Sequence, residues 1–276
     1  MNDSCLIYLH VPKTAGTTMT SILRLRLKYL PSERLSFETL GGAPSDIEDI
    51  PFERRARARL VYGHVHYGIH QWIPRPSRYF TILRDPVRRV VSLYRYVLRD
   101  PNHPVNGALR ESGMGLKEFV ASGLDRTQTE NGQVRQLAAV VDRDPVDGDL
   151  DVAISNLGDC EVVGLTERFD ESVILMKRSF GWMIPYFQRR MVAPGAPSRD
   201  EPSGDAIEII RDKNRLDLEL YAEAERLFRE QVATQTDTFG REVARFRRMN
   251  QVAGPTLHAG ASAIRRTRAM VRSRRG

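Results

Sequence analysis

The sequence predicts an α/β fold with a mostly parallel central sheet flanked by helices. Two observations predict it. Short apolar runs alternate with segments of helical periodicity, and the best of those runs pass straight into polar loops that open helices. No internal repeat interrupts the pattern.

Cys5-Leu6-Ile7-Tyr8-Leu9 predicts a buried strand, followed by the polar turn His10 to Thr18. Met19, Ile22, Leu23, Leu27 and Leu30 then recur at helical spacing, so strand, loop and helix open a βαβ unit. Residues 31–51 hold many turn formers and read as irregular. Phe52 to Arg59 reads as a basic helix, Leu60-Val61-Tyr62 as a strand and Gly63 to Gly68 as the loop after it.

Tyr79-Phe80-Thr81-Ile82-Leu83 predicts a strand. Asp85 is placed to cap the next helix, with Pro86 at its first position, where a missing N–H costs nothing. That helix continues through Val97, and Asp100 to Gly115 reads as a loop long enough for a lid or an acceptor-binding insertion. A helix over Glu130–Ala139, a polar connection over Val140–Gly148, a strand at Glu161–Leu165 and a helix from Asp170 to Phe180 follow. Pro185 to Ser203 reads as a linker, and two late helices are expected over Ala206–Gln231 and Asp237–Met249.

A chain of 276 residues with 41% hydrophobic and 28% charged residues can bury a full core. The division expected is a domain over 1–250 and a basic tail over 251–276. The net charge of +7 comes mainly from that tail: without Arg265, Arg266, Arg268, Arg272, Arg274 and Arg275, the 42 basic residues come within one of the 35 acidic ones. Such a tail suits a solvated end, or a weak contact with anionic lipid, more than a nucleic-acid interface. Cys5 and Cys160 stand far apart without metal-type spacing and read as small buried hydrophobes of a reduced compartment. The first residues show no basic segment followed by an apolar run, and the expected location is cytoplasmic, with peripheral contact at a membrane surface.

The chemistry is concentrated in two loops. A strand-to-helix turn presents free backbone N–H groups and the positive end of a helix dipole, a ready site for phosphate or a related anion. Here Lys13 adds a mobile charge, Thr14, Thr17 and Thr18 add hydroxyls, and Gly16 permits close approach. It is not a Walker A loop, because the lysine precedes the glycine. Arg84 closes the second run, at the end of a parallel sheet where open α/β folds bind ligands, and its guanidinium suits a phosphate.

At these residues the sequence resembles the sulfotransferases that use 3′-phosphoadenosine-5′-phosphosulfate (PAPS), in the branch of the heparan-sulfate 2-O-sulfotransferases and their bacterial relatives. His10-Val11-Pro12-Lys13-Thr14-Ala15-Gly16-Thr17-Thr18 is similar to that family's 5′-phosphosulfate loop, and Thr81 to Ser92 to its 3′-phosphate element. The resemblance continues weakly through Asn131–Leu137 and Val163–Phe169. It implies a P-loop-like sulfotransferase fold and PAPS as donor with PAP as product, held by Pro12, Lys13, Thr14, Ala15, Gly16, Thr17, Thr18, Arg84 and Ser92. No metal is expected.

It also implies sulfuryl transfer to the hydroxyl of an acceptor, a carbohydrate or other small polar molecule, with Lys13 stabilising the leaving oxygen. Gly63-His64-Val65 resembles the segment that carries the family's histidine base, so His64 is the expected base, with His66 next. His10 is expected to order the phosphate loop. Gln133 and Arg135 are expected acceptor contacts by family position. Two rival readings remain on the residues alone: a P-loop-type nucleotide kinase or hydrolase, and a basic-tailed nucleic-acid binder.

Overall fold

The computed structural model describes residues 4–26, 31–42, 47–183 and 202–251. The basic tail, most of the expected linker, and Leu27 and Leu30 of the first periodic segment lie outside those residues.

Five strands form one sheet: β1 Cys5–Leu9, β2 Arg34–Gly42, β3 Leu60–Val65, β4 Ser77–Leu83 and β5 Cys160–Leu165. Their order is β2-β3-β1-β4-β5, and every pairing is parallel. All five residues of β1 are buried, as a central strand covered on both faces requires. The chain leaves β1 toward β2 on one side and leaves β4 toward β5 on the other. The neighbouring strands β1 and β4 therefore form a switch point, the position at whose carboxyl ends open α/β sheets bind ligands.

The register brings the loops level there. Leu9 pairs with Gly63 of β3 and with Thr81 of β4, and the Thr81 hydroxyl donates to the Leu9 carbonyl at 2.8 Å. Thr166 donates through its N–H and its hydroxyl to the Leu83 carbonyl, fixing the end of β5 beside β4.

The helix Gly16–Arg26 follows β1, and the helix Pro86–Arg99 follows β4. Asp85 caps the latter, its carboxylate accepting from the Arg88 N–H at 2.8 Å, with Pro86 at the first position. Cys5 and Cys160 are free thiols, both buried.

Four expectations are corrected. Residues 31–51 are not irregular throughout, because Arg34–Gly42 pairs with β3 as an edge strand. Gly63 and His64 belong to β3 and not to a loop, since Gly63 pairs with Phe37 and Leu9 on its two sides. Asp100 to Gly115 is no open lid, for it contains the helix Asn106–Ser112, with Leu109 buried and Asn106 Nδ2 donating to the Val97 carbonyl at 2.6 Å. The long helix expected from Ala206 is two helices, Gly204–Lys213 and Arg215–Ala233, meeting at the buried Asn214. A final helix covers 238–251. Among the described residues no helix is long and apolar enough to cross a membrane.

Candidate active site

The loop after β1 is held in an unusual backbone. Lys13 and Ala15 both have positive φ, 68° and 66°, a conformation that costs a non-glycine residue of order 1–3 kcal/mol and concentrates at functional sites. The loop closes on itself. Thr14 Oγ1 donates to the Val11 carbonyl at 2.8 Å, and the Thr18 and Met19 N–H groups turn onto the Ala15 carbonyl. The Thr14 hydroxyl is thus committed to the loop, whereas Thr17 is exposed and lines a cavity together with His10 and His64.

Gly16 is dictated by packing. A Cβ there would lie 1.5 Å from His10 Nε2, so the imidazole lies directly over the helix start. The His10 ring stacks with Tyr8 at 5.4 Å and with His64 at 4.4 Å between centroids. Burial, reinforced by His64 and Lys13, holds His10 well below the usual imidazole pKa, so it is neutral.

His64 projects from the C-terminal end of β3. Its Nδ1 lies 3.2 Å from the His10 carbonyl, which can only accept, so Nδ1 carries the proton and Nε2 carries the lone pair. Burial lowers its pKa, the hydrogen bond to the His10 carbonyl opposes that, and Lys13 lowers it further. A neutral imidazole in a fixed tautomer is what a general base requires.

A cavity of about 300 Å³ opens beside it, lined among others by His10, Thr17, Thr20, Arg24, Phe37 and His64. Gly63 shapes its floor. At φ 133° a Cβ would sit 1.9 Å from the Phe37 carbonyl oxygen, so no side chain fits. His66 lies one residue beyond β3, half-buried, and does not line this cavity.

Arg84 follows β4, and its Nη1 donates to the Lys13 carbonyl at 3.0 Å. Its backbone is held at both polar atoms by Gln133, which accepts from the Arg84 N–H at 3.1 Å and donates to the Arg84 carbonyl at 3.0 Å. Arg84 Nε is buried without a hydrogen-bond partner among the described residues, with Glu167 at 4.0 Å. Burial works against the charge of Arg84 and Glu167 supports it. An orphaned buried N–H on a guanidinium fits an anionic ligand. Ser92 lies half-buried in the helix Pro86–Arg99.

Lys13 lies in the loop after β1, against Tyr96. Its Nζ sits 3.7 Å from the centroid of the Tyr96 ring. Burial, with Arg99 and Arg84 nearby, pulls its pKa down to about 8, while Asp100 pulls the other way.

Gln133 and Arg135 lie in the short helix Gly132–Leu137, and both side chains are engaged within the fold. Gln133 is fully buried on Arg84, and Arg135 Nη1 reaches the Arg143 carbonyl at 2.5 Å with Asp144 beside it. Gln136, which sequence reasoning passed over, donates to the His10 carbonyl at 2.9 Å and to the Val65 carbonyl at 2.7 Å, tying β1 to β3 beneath His64.

The helix itself is capped by Asp217, which accepts from the N–H groups of Gln133 and Val134 and lies 3.5 Å from the fully buried Arg89. Asn214 reinforces the joint, donating to the Thr129 carbonyl at 2.7 Å and accepting from the Asn131 N–H at 3.1 Å. Nothing in the sequence signals this network, because its members lie more than eighty residues apart.

The model of the Sulfotransferase family matches residues 2–144, a span that carries the anion loop, His64 and Arg84. The chain belongs to the sulfotransferase family. Human heparan-sulfate 6-O-sulfotransferase 1 is 28% identical over 288 residues, covering 83% of this chain and 66% of that protein. Human galactosylceramide sulfotransferase is 28% identical over 274 residues, covering 89% and 62%. The protein-tyrosine sulfotransferase of Arabidopsis thaliana is 32% identical over 127 residues, covering 44% and 24%. This sulfotransferase-family chain thus spans less than two thirds of the length of these relatives. Among solved structures, mouse sulfotransferase SULT7A1 complexed with PAP aligns at a TM-score of 0.39 and 13% identity, over 87% of this chain and 82% of that one. The heparan-sulfate relative is named for 6-O transfer, whereas the motifs implied the 2-O branch; the comparisons show the family and not that branch.

Proposed function

We propose that the protein transfers a sulfuryl group from PAPS to the hydroxyl of a carbohydrate acceptor, releasing PAP. The observation that carries this reading is the joining of two anion-facing elements: Arg84 at the end of β4 touches the backbone of Lys13 in the loop after β1. One nucleotide phosphorylated at its 3′ and 5′ positions can span such a pair. The loop backbone, Lys13 and Thr17 face the phosphosulfate end, and Arg84, with Ser92 in the helix beyond it, faces the 3′-phosphate.

The acceptor enters the cavity beside His64. His64 Nε2 takes the hydroxyl proton as the acceptor oxygen forms its bond to sulfur. The bond from sulfur to the bridging oxygen breaks, and the electron pair leaves with the 5′-phosphate of PAP. Lys13 and the loop N–H groups meet the charge that develops on that oxygen. Arg24 and the hydroxyls of Thr17 and Thr20 line the same cavity and suit a polar, anionic sugar. The names of the relatives, heparan-sulfate and galactosylceramide sulfotransferases, support a sugar hydroxyl as the target.

The test is transfer of labelled sulfate from PAPS to a panel of heparan-type oligosaccharides, glycolipids and tyrosine peptides, read by mass spectrometry. Sulfated sugar products are expected. Sulfation confined to tyrosine peptides, or no transfer with any acceptor, would reject the carbohydrate reading.

A further inference from the structure

We propose that Tyr96 is a positioning residue for Lys13: its ring holds the ammonium at the anion loop, and its hydroxyl fixes Asp100 as the neighbouring counter-charge. This rests on the donor reading above, in which Lys13 must stay charged to grip the nucleotide.

Tyr96 and Asp100 stand four residues apart at the end of the helix Pro86–Arg99, on one face. The Tyr96 hydroxyl donates to Asp100 Oδ2 at 2.6 Å, and the Asp100 N–H donates to the Tyr96 carbonyl at 3.0 Å. The ring is fixed from another side by His103, edge-on at 5.6 Å, whose Nε2 lies 4.0 Å from Asp125. Lys13 Nζ lies over the ring face at 3.7 Å, where the aromatic quadrupole attracts a cation and desolvation strengthens that attraction.

The need for such a platform follows from the surroundings. Arg99 and Arg84 repel the ammonium, His10 and His64 add to the repulsion when protonated, and Asp100 is its one acidic neighbour among the groups that act on it. Burial and these cations already bring Lys13 down to about 8. Without the ring face, the amine would lose its proton at a lower pH and with it its hold on an anion. The hydrogen bond from Tyr96 also helps keep Asp100 ionised. Tyr96 itself is held up to about 12, first by that same bond, so it remains a neutral phenol throughout the range in which Lys13 titrates.

The experiment is isothermal titration calorimetry of PAP against the full chain from pH 6 to 9.5. Wild type should lose affinity with a midpoint near pH 8, and Lys13→Met should bind weakly with no such midpoint. Tyr96→Phe keeps the ring but releases Asp100, and should lower the midpoint by only a few tenths of a unit. Tyr96→Leu keeps an apolar cover without the quadrupole and should move the midpoint down by about one unit. Tyr96→Met takes its place if the leucine variant does not fold. A midpoint unmoved in the Leu or Met variant, or moved equally in the Phe variant, overturns the proposal. Absence of PAP binding by wild type would instead refute the donor reading itself.

Discussion

The guanidinium of Arg84 donates through Nη1 to the Lys13 carbonyl at 3.0 Å, so the loops that end β1 and β4 form one surface. Two positively charged residues 71 positions apart in the chain meet because β1 and β4 are neighbours at a switch point in strand order. Arg84 also lowers the pKa of the Lys13 ammonium, a repulsion that a bound polyanion would offset.

In the proposed reaction, Lys13→Ala removes the charge that would meet the leaving oxygen while sparing the loop backbone. Turnover should fall by about 10²- to 10³-fold, the scale for losing one preorganised stabiliser of developing charge. Steady-state kinetics check it, and a near-normal kcat would remove Lys13 from the chemistry.

His64→Ala should lower kcat by about 10²- to 10⁴-fold, the usual contribution of a general base. PAP affinity should stay near wild type, because the imidazole lines the cavity proposed for the acceptor. Unchanged kcat would move the base elsewhere, His66 being the next residue to test.

The pH profile should be bell-shaped. His64 is lowered from the ordinary 6.5, chiefly by burial, so the acid limb, where the base becomes protonated, lies below that value. Lys13 acts in its charged form and is pulled down to about 8, so kcat/KM should fall as pH rises through about 8. A bound donor brings negative charge that favours the ammonium, so the alkaline limb of kcat should lie higher than that of kcat/KM. Coincident alkaline limbs would contradict this.

Asp217→Ala should destabilise the fold by about 3–5 kcal/mol, since it strands the fully buried Arg89 without its counter-charge. It also uncaps the helix Gly132–Leu137, whose Gln133 holds Arg84 and whose Gln136 supports His64. Denaturant unfolding measures the first effect. Activity should fall more steeply than the remaining folded fraction explains.

The strands that position the site were legible because β1 is a continuous apolar run, β4 holds Tyr79, Phe80, Ile82 and Leu83, and Asp85-Pro86 marks a helix start. The edge strand β2 was hidden, since it carries Gly41 and Gly42 and pairs on one side only. Gly63 read as loop for the same reason: glycine signals a turn, whereas here it makes room for the Phe37 carbonyl. Lys13 and Arg84 could be picked out by charge at strand ends. Their support could not, because Tyr96 looks like an ordinary helix aromatic, and Asp217 looks like a surface acid until folding buries it. Gln133, expected to meet an acceptor, instead has both its side-chain polar atoms on the Arg84 backbone.

The most direct measurement is a thermal-shift comparison of PAP, ATP and ATP with Mg²⁺ on wild type and on Arg84→Ala. If one nucleotide is gripped at both its 3′ and 5′ phosphates, PAP should raise the melting temperature of wild type, ATP should do little, and Arg84→Ala should lose most of the PAP effect. Stabilisation by ATP with Mg²⁺ while PAP has none would contradict the account.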